Sequence, residues 1–533
     1  MNKPDSHSPS SSAESNTSLS RKENEKFVLI VTVFIAGLCS IIYELLISTT
    51  TSYFLGDSVK QFSLTIGIFL AAMGVGSFLS RIFTKDLIKH FIAVEIFLGF
   101  VGGISVPLLY LVYLYAFHQY TLFNVYALFL ISIIGILTGL EVPLLTRIMK
   151  EYYPLKINLS NILSVDYIGG LAATLLFPFF LLPFVGLFKA SLVFGLLNVG
   201  LGFLNLWYFS DHLKLSSKRI LGTAAIVVSL LFAIVLGSSN YLLQQWSNGL
   251  YKDPVVFFQQ TNYQQIALTK AGENTRLYIN GAIQFSSADE YRYHEALTHI
   301  PIGMQDKTET VLVLGGGEAL AIRELNKHSD IKKIVVVDID PAIFELAQKN
   351  VYMKQMCENS LSDPRVEMVP MDASVYLQQN KEKFDLIIGD LPDPATESVA
   401  RLYSKEFFRL IQNRLNPKGI FCTQATGTYH SNHAFWCIHE TLQASGFTHV
   451  LPYHAYVPSF GDWGFIAASH SALDVSKIDF PVPTKFLESG LLSKLLYFPK
   501  DLLLDEVGVN TLDKPILLEY YLQDYRRFQK YKQ

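Results

Sequence analysis

The chain has 533 residues, of which 50% are hydrophobic and 17% charged, with a mean hydropathy of +0.29. That length predicts at least two domains, and a net charge of −3 excludes the basic surface on which nucleic-acid binding rests. The cysteines Cys39, Cys357, Cys422 and Cys437 show no paired metal-ligand spacing and read as reduced thiols rather than a disulfide framework.

Residues 1–26 are rich in Ser, Asn, Lys and Glu and predict a disordered N-terminus. No cleavable signal is expected, because the apolar segment that follows is long and runs on to Glu44. From Phe27 to about Ser238 the chain repeats stretches close to the about 20 apolar residues that span a bilayer as a helix. They fall near 27–48, 62–83, 92–117, 122–146, 162–187, 189–210 and 220–238. A multi-pass cell-membrane domain over 27–238, with lipid as its partner, is the expectation. Pro178 and Pro183 predict a broken or re-entrant fifth segment.

Glu44, Glu95, Glu141 and Asp166 lie within these spans and should face the bundle interior or water. They are read either as a polar pathway or cation site, or as neutral hydrogen-bonded or interfacial acids. Basic residues concentrate in alternate links: Lys22 and Lys26; Arg81, Lys85 and Lys89; Arg147, Lys150 and Lys156; Lys214, Lys218 and Arg219. The positive-inside rule puts these links in the cytoplasm, and seven spans would then leave the C-terminal half outside. An error of one at the fifth span reverses that.

Residues 239–262 read as a link. Tyr263–Thr269 and Arg276–Ile279 are short alternating runs divided by AGEN and followed by NG, which predicts a small antiparallel sheet over 263–300. The stretch 281–301 carries Asp289, Glu290, Arg292, His294 and Glu295 so densely that a ligand-facing segment is expected rather than a buried helix. A nucleotide-binding domain follows over 301–470. Val311–Leu314 reads as a buried strand, Gly315, Gly316 and Gly317 as a turn open to a ligand, Ala319–Leu325 as a helix start, and Ile334–Val337 as a second strand ending at Asp338. An acid about 20 residues past such glycines suits the ribose hydroxyls of a nucleoside. Arg365–Pro370 predicts a strand ending at Asp372, and Phe384–Gly389 one ending at Asp390 in DLPDP. Open α/β sheets bind ligands at the carboxyl ends of their strands, so these four ends should converge on one crevice. Helices fit 404–415 and 432–445, and Phe465–Ala468 a late strand. The extension 471–533 is assigned no role.

Laid out in order, YQ, NGAIQ, DEYRYHE, GGGE, VVDID, DPRVEMVPMDA, DLPDP and LYSKEFF resemble the spermidine synthase (polyamine aminopropyltransferase) family from about Tyr263 to Ser469. YHAYVPSFGDWGF and the apolar half are similar to the bacterial subgroup in which such a domain follows a multi-span membrane region. The resemblance implies a seven-stranded methyltransferase-like (Rossmann-type) sheet. It also implies decarboxylated S-adenosylmethionine as co-substrate, with no resident cofactor and no metal. By position, Gln264, Gln284, Gly315 and Gly317 would surround the nucleoside donor, Asp338 hold its ribose and Asp372 its adenine amino group. Glu318, where the family usually has Asp, would meet the aminopropyl ammonium. Asp390 would be the catalytic base, and Tyr293, His294 and Asp393 would line the site of a small-molecule amine such as putrescine. His294 stands where soluble members often place Gln, Leu391 and Pro392 replace small polar residues, and Phe460 falls about where soluble members use a Tyr. A homodimer is left open.

The chemistry suits these residues. A sulfonium with an aminopropyl arm and a polyamine are both cations, which the acids Glu318, Asp390 and Asp393 would hold together. The acceptor amine must lose a proton before it attacks, a task for a carboxylate general base. The donor is made inside cells and the thiols suit a reducing compartment, so a cytoplasmic C-terminal half is expected. Two alternatives stand beside this reading: an S-adenosylmethionine methyltransferase, which leaves Asp390 and Asp393 idle, and a membrane polyamine transporter or sensor whose C-terminal half only binds.

Overall fold

The computed structural model describes residues 10–56, 58–115, 120–261, 263–476, 478–504 and 506–531. The chain divides into two compact units at the Leu250–Tyr251 junction. The first unit is helical: α1 (Ser10–Leu55), α2 (Ser58–Leu79), α3 (Leu87–Tyr115), α4 (Tyr120–Met149), α5 (Leu155–Leu176), α6 (Leu187–Tyr208), α7 (Leu215–Gly237) and α8 (Ser239–Leu250). Among the described residues, seven helices are long and apolar enough to cross a membrane, by length and composition. Small residues bring helices close where they pack. A Cβ on Gly76 of α2 would stand 2.1 Å from the Ile136 carbonyl oxygen of α4. Tyr43, Leu98, Ile131 and Leu144 form part of the shared core.

Three expectations change here. Residues 10–26, expected to be disordered, continue α1, with Glu25 accepting from the Tyr152 hydroxyl at 2.7 Å and the Lys26 ammonium 5.2 Å above the Tyr153 ring. Residues 1–9 of that segment lie outside the described residues. The fifth segment is not broken: α5 runs on through Phe177–Val185, which winds as a π-helix around Pro178 and Pro183 and stops at Gly186. Prolines lack the N–H of the ordinary ladder, and wider winding accommodates that loss. The link at 239–262 is also ordered in part, carrying α8 and the first strand.

The second unit holds two sheets. β1 (Val255–Gln260), β2 (Gln265–Ala271), β3 (Asn274–Ile279) and β4 (Ala282–Ser286) form an antiparallel sheet in chain order. After α9 (Glu290–Gly303) come β5 (Thr310–Gly315), α10 (Leu320–Asn326), β6 (Lys333–Asp338), α11 (Pro341–Lys349), α12 (Val351–Met356), β7 (Val366–Pro370), α13 (Ala373–Gln379) and β8 (Phe384–Asp390). The chain closes with α14 (Glu397–Ala400), α15 (Lys405–Gln412), β9 (Leu415–Gly427), α16 (Asn432–Ser445), β10 (His449–Val457), β11 (Gly461–Ser469), α17 (Leu492–Leu495) and α18 (Ile516–Tyr531).

The larger sheet has seven strands in the order β10-β11-β9-β8-β5-β6-β7, parallel from β7 to β9 and antiparallel at β11 and β10. Parallel strands are covered on both faces, so they read as unbroken apolar runs; Val311–Leu314 and Leu386–Ile388 are wholly buried. The chain winds from β5 to β6 and β7 on one side, then returns to place β8 on the other. That reversal opens a crevice at the carboxyl ends of β5 and β8.

The stretch 281–301 is for the most part a buried helix, from which Tyr293 reaches Asp390 at the crevice. This helix is α9, whose Tyr293, Glu295, Leu297 and Ile300 pack inward. Its charges are absorbed by partners distant in sequence. Glu295 accepts from the backbone N–H groups of Lys485, Phe486 and Leu487, and Asp289 from Ser459. The expected helix at 404–415 stops at Gln412, because Leu415 already pairs with Phe384 as the start of β9.

Candidate active site

Gly315 lies opposite Asp390 across the β5–β8 ladder. A Cβ on Gly315 would stand 2.0 Å from the Asp390 carbonyl oxygen, and one on Gly316 3.0 Å from Asp390 Oδ2. One on Gly317 would stand 2.8 Å from Asp338 Oδ2. Gly315 and Gly316 also have φ of +82° and +66°, in the region that favours glycine. The three glycines therefore let two acids close on the turn.

Asp338 ends β6, where its Oδ2 accepts from the Gly317 N–H at 3.2 Å and its Oδ1 from the Asp340 N–H at 2.9 Å. Burial, with Glu318 nearby, raises its carboxyl to about 6 despite those bonds. Asp390 ends β8. Its Oδ1 accepts from the Tyr293 hydroxyl at 2.7 Å, and its Oδ2 is buried without a hydrogen-bond partner. Burial and then Glu318 push this carboxyl up to about 7, against the opposing pull of His294 and the Tyr293 hydroxyl.

His294 follows Tyr293 on α9. Its Nδ1 lies 2.8 Å from Glu290 Oε2 and its Nε2 3.8 Å from Glu318 Oε1. Burial opposes the imidazolium, but Glu290, Glu318 and Asp390 outweigh it and raise the ring to about 10. Glu290 is fixed in turn by Arg323, whose Nη1 and Nη2 donate to its two oxygens at 2.9 and 3.0 Å. One atom from each of His294, Glu318 and Asp390 lies within 4.8 Å of the others, a grouping with the dimensions of a metal site. A histidine must be neutral to ligate a metal. Here Nδ1 lies against Glu290, and the surrounding carboxylates favour the charged ring over a neutral ligand.

Asp393 sits in the loop after β8. Tyr521 of α18 donates its hydroxyl to Oδ2 at 2.9 Å, Oδ1 has no partner, and burial raises the carboxyl to about 6. The loop is clamped from β9: Gln424 Nε2 donates to the Leu391 carbonyl at 2.7 Å, and the Tyr403 hydroxyl to that of Pro392 at 3.1 Å. Gln424 Oε1 also accepts from the N–H of Thr426, a buried β-branched residue held at φ +68°. Such strain persists only where the surroundings enforce it. Tyr293, Phe460, Trp463 and Phe465 form an aromatic wall beside Asp390, with ring centroids 5.0–6.1 Å apart for Phe460–Trp463, Tyr293–Phe465 and Tyr293–Phe460.

The structure thus gathers Gly315, Gly317, Glu318, Asp338, Asp390, Tyr293 and His294 around one turn, with Asp393 in the adjoining loop. Gln264 belongs to a turn tied to the end of β6 through Thr261, whose hydroxyl donates to Asp340 at 2.7 Å. Asp372 and Gln284 are placed otherwise. Asp372 Oδ1 caps α13 and Oδ2 pairs with Arg401, so both oxygens are engaged. Gln284 turns its amide to the Ala282 carbonyl of its own strand.

A sequence model of the Spermine/spermidine synthase domain matches residues 290–479. A polyamine aminopropyltransferase of Leptospira interrogans is 39% identical over 94% of this chain and 99% of its own length. One of Oceanobacillus iheyensis is 36% identical over 91% and 95%. The chain belongs to the polyamine aminopropyltransferase family. These family members align along nearly the whole chain, so the helical unit is shared with them and is not an appendage of this sequence. Among solved structures, a spermidine synthase in complex with the transition state analogue AdoDATO is 24% identical, covering 46% of this chain and 86% of its own, with a TM-score of 0.44.

Sequence reasoning missed several groups that build this candidate site. Arg323 and Gln424 carry a signal in hindsight, being polar residues within apolar runs whose burial needs partners. Tyr521 carries none, because nothing local links the C-terminal helix to the loop after β8.

Proposed function

We propose that this aminopropyltransferase moves the aminopropyl group of decarboxylated S-adenosylmethionine to an amine such as putrescine, with Asp390 as the general base. The observation that carries this reading is Asp390 Oδ2: a buried oxygen without a donor, on a carboxyl whose titration lies near neutrality. Such a group takes a proton readily at physiological pH. The acceptor ammonium gives one proton to Oδ2, and the freed nitrogen lone pair attacks the methylene next to the sulfonium. The C–N bond forms as the C–S bond breaks, the sulfur keeps the electron pair, and methylthioadenosine leaves. Asp338 and the glycine turn hold the nucleoside, and Glu318 faces the aminopropyl ammonium. Asp393 and the aromatic wall receive the second amine end. The tie between Asp372 and Arg401 means that Asp372 meets the adenine only after that pair opens. Held in line, donor and acceptor gain further rate from proximity.

Asp390→Asn keeps the shape but cannot take the proton. Turnover should fall by about 100-fold or more, while methylthioadenosine binding measured by calorimetry stays close to wild type. Retention of most activity would assign the base elsewhere.

We also propose that the seven apolar helices span a cell membrane. Outward-facing Leu70, Phe78, Phe129, Leu171 and Ile234 support this, being about half exposed or more. The location of the donor favours a cytoplasmic second unit, whereas seven helices with basic alternate links favour the opposite face. His470→Cys, at an exposed position, decides between them: labelling in intact cells by a membrane-impermeant thiol reagent would place the unit outside.

A further inference from the structure

Glu95 of α3 and Glu141 of α4 are buried in the first unit, at 0% and 3% exposure, and their carboxyls meet at hydrogen-bonding distance. Close packing of α3 on α6 brings Asn198 to the same place. A Cβ on Gly99 would stand 2.9 Å from the Gly195 carbonyl, so the two backbones approach at that level. Asn198 Nδ2 then donates to Glu95 Oε2 at 2.7 Å and to the Glu95 carbonyl at 3.1 Å.

Glu95 Oε1 and Glu141 Oε1 are buried without partners. Two non-acidic oxygens share that state: Asn198 Oδ1, on a fully buried amide already bonded to Glu95, and Thr138 Oγ1, one helical turn before Glu141 on the same face. Among the described residues no lysine, arginine or histidine pairs with either acid. The nearby Tyr43 hydroxyl is spent on the Phe194 carbonyl at 3.0 Å. The two carboxyls thus keep one unpartnered oxygen each, beside a buried amide whose own oxygen is also unpartnered. A single proton held between the acids would supply one donor and leave the pair itself at a charge of −1. A primary ammonium brings one positive charge and three N–H donors, which matches what remains. A buried acid within apolar helices persists when it is paired or serves a ligand.

We propose that Glu95, Glu141 and Asn198 form a binding site for the primary ammonium group of an amine within the helical unit. It is a second amine site, in addition to that of the transfer reaction, and does not depend on the reading of that reaction. The probe is radiolabelled putrescine, in equilibrium dialysis against the full chain in detergent and sodium-free buffer. Wild type should bind two equivalents. Glu95→Gln/Glu141→Gln should lose one while keeping its transferase activity, which also reports that it is folded. Asp390→Asn/Asp393→Asn should lose the other, and this arm needs no change in the helices. Retention of one equivalent there supports the helical site, and retention of none overturns it. Unchanged stoichiometry in Asp390→Asn/Asp393→Asn would instead fault the transfer reading. Displacement of the helical equivalent by sodium, or proton uptake by the pair without amine binding, would also overturn the proposal.

Discussion

Asp385 and Asp390 are the same residue type at opposite ends of β8, and their surroundings treat them oppositely. Asp385, near the amino end, accepts from the N–H groups of Glu309 and Thr310 at 2.9 and 3.0 Å. It also accepts from the Thr310 hydroxyl at 3.1 Å and from Asn416 Nδ2 at 2.7 Å. Burial works against its charge, but these donors win and hold the carboxyl below its ordinary value. Asp390, at the carboxyl end, has one donor, one orphaned oxygen and Glu318 beside it, and is pushed up to about 7. The strand positions both side chains equally well. What separates the two carboxyls is how deeply each is buried and how many donors the fold spends on it.

The strongest way to break this contrast is to remove the cation that tempers Asp390. Glu290→Gln leaves Arg323 with Glu324 as its remaining carboxylate and His294 without its closest one. Losing one carboxylate of this buried network costs about 1–3 kcal/mol, readable as a lowered thermal midpoint of the full chain in detergent. The pH dependence has a definite sign. The His294 ring is raised to about 10 in the fold against an unfolded value of about 6.5. Its contribution is therefore complete below about pH 6.5 and disappears as pH rises through about 10. Wild type should lose stability across that window, and Glu290→Gln should lose much less. Parallel pH profiles for the two proteins would remove His294 as a charged partner of the site.

Asp385→Asn sharpens the same comparison from the other end and should act more weakly. One amide oxygen replaces two charged ones for four donors, at a cost of about 1–2 kcal/mol, the usual worth of charged hydrogen bonds reduced for partial exposure. Because the folded carboxyl titrates below its unfolded value, its stabilisation is present above about pH 4 and fades as pH falls through the lowered value. Wild type and variant should differ at pH 7 and converge once the pH falls below the lowered value, with kcat unchanged at pH 7. A large loss of activity would mean that Asp385 reaches the reaction after all.

The distribution of donors explains how much the sequence disclosed. The strand ends at Gly315, Asp338 and Asp390 were legible because parallel strands announce themselves as apolar runs and the next residue marks the crevice. Asp372 was legible as a strand end, but its pairing with Arg401, 29 residues on, was not. The α9 helix was read as a ligand-facing segment because its charges have no visible partners until Arg323, Ser459 and residues 485–487 arrive from elsewhere in the chain. Pro178 and Pro183 were read as a break, whereas π-winding carries the helix past them. Each miss concerns a partner far off in sequence or a backbone geometry that composition does not encode.

Asp393 is the intermediate case, and it yields the smallest and most specific prediction. It has an orphaned Oδ1, like Asp390, but Tyr521 donates to its Oδ2, and its carboxyl is raised to about 6 rather than 7. Tyr521→Phe removes that donor. The charged form of Asp393 loses a hydrogen bond, so its titration should move further up, and at pH 7 a smaller fraction is ionised. If Asp393 holds the far end of the amine as proposed, the KM for putrescine at pH 7 should rise by about 3- to 10-fold, the scale of one ordinary hydrogen bond. The kcat should change little, because Asp390 and Tyr293 are untouched. Raising the pH to 8.5 restores the charge on Asp393, so the ratio of variant to wild-type KM should shrink there. Initial rates against putrescine concentration at the two pH values measure both quantities. A KM ratio that is equal at pH 7 and 8.5 would detach Tyr521 from the titration of Asp393. A loss confined to kcat would move Asp393 from amine binding to the chemical step.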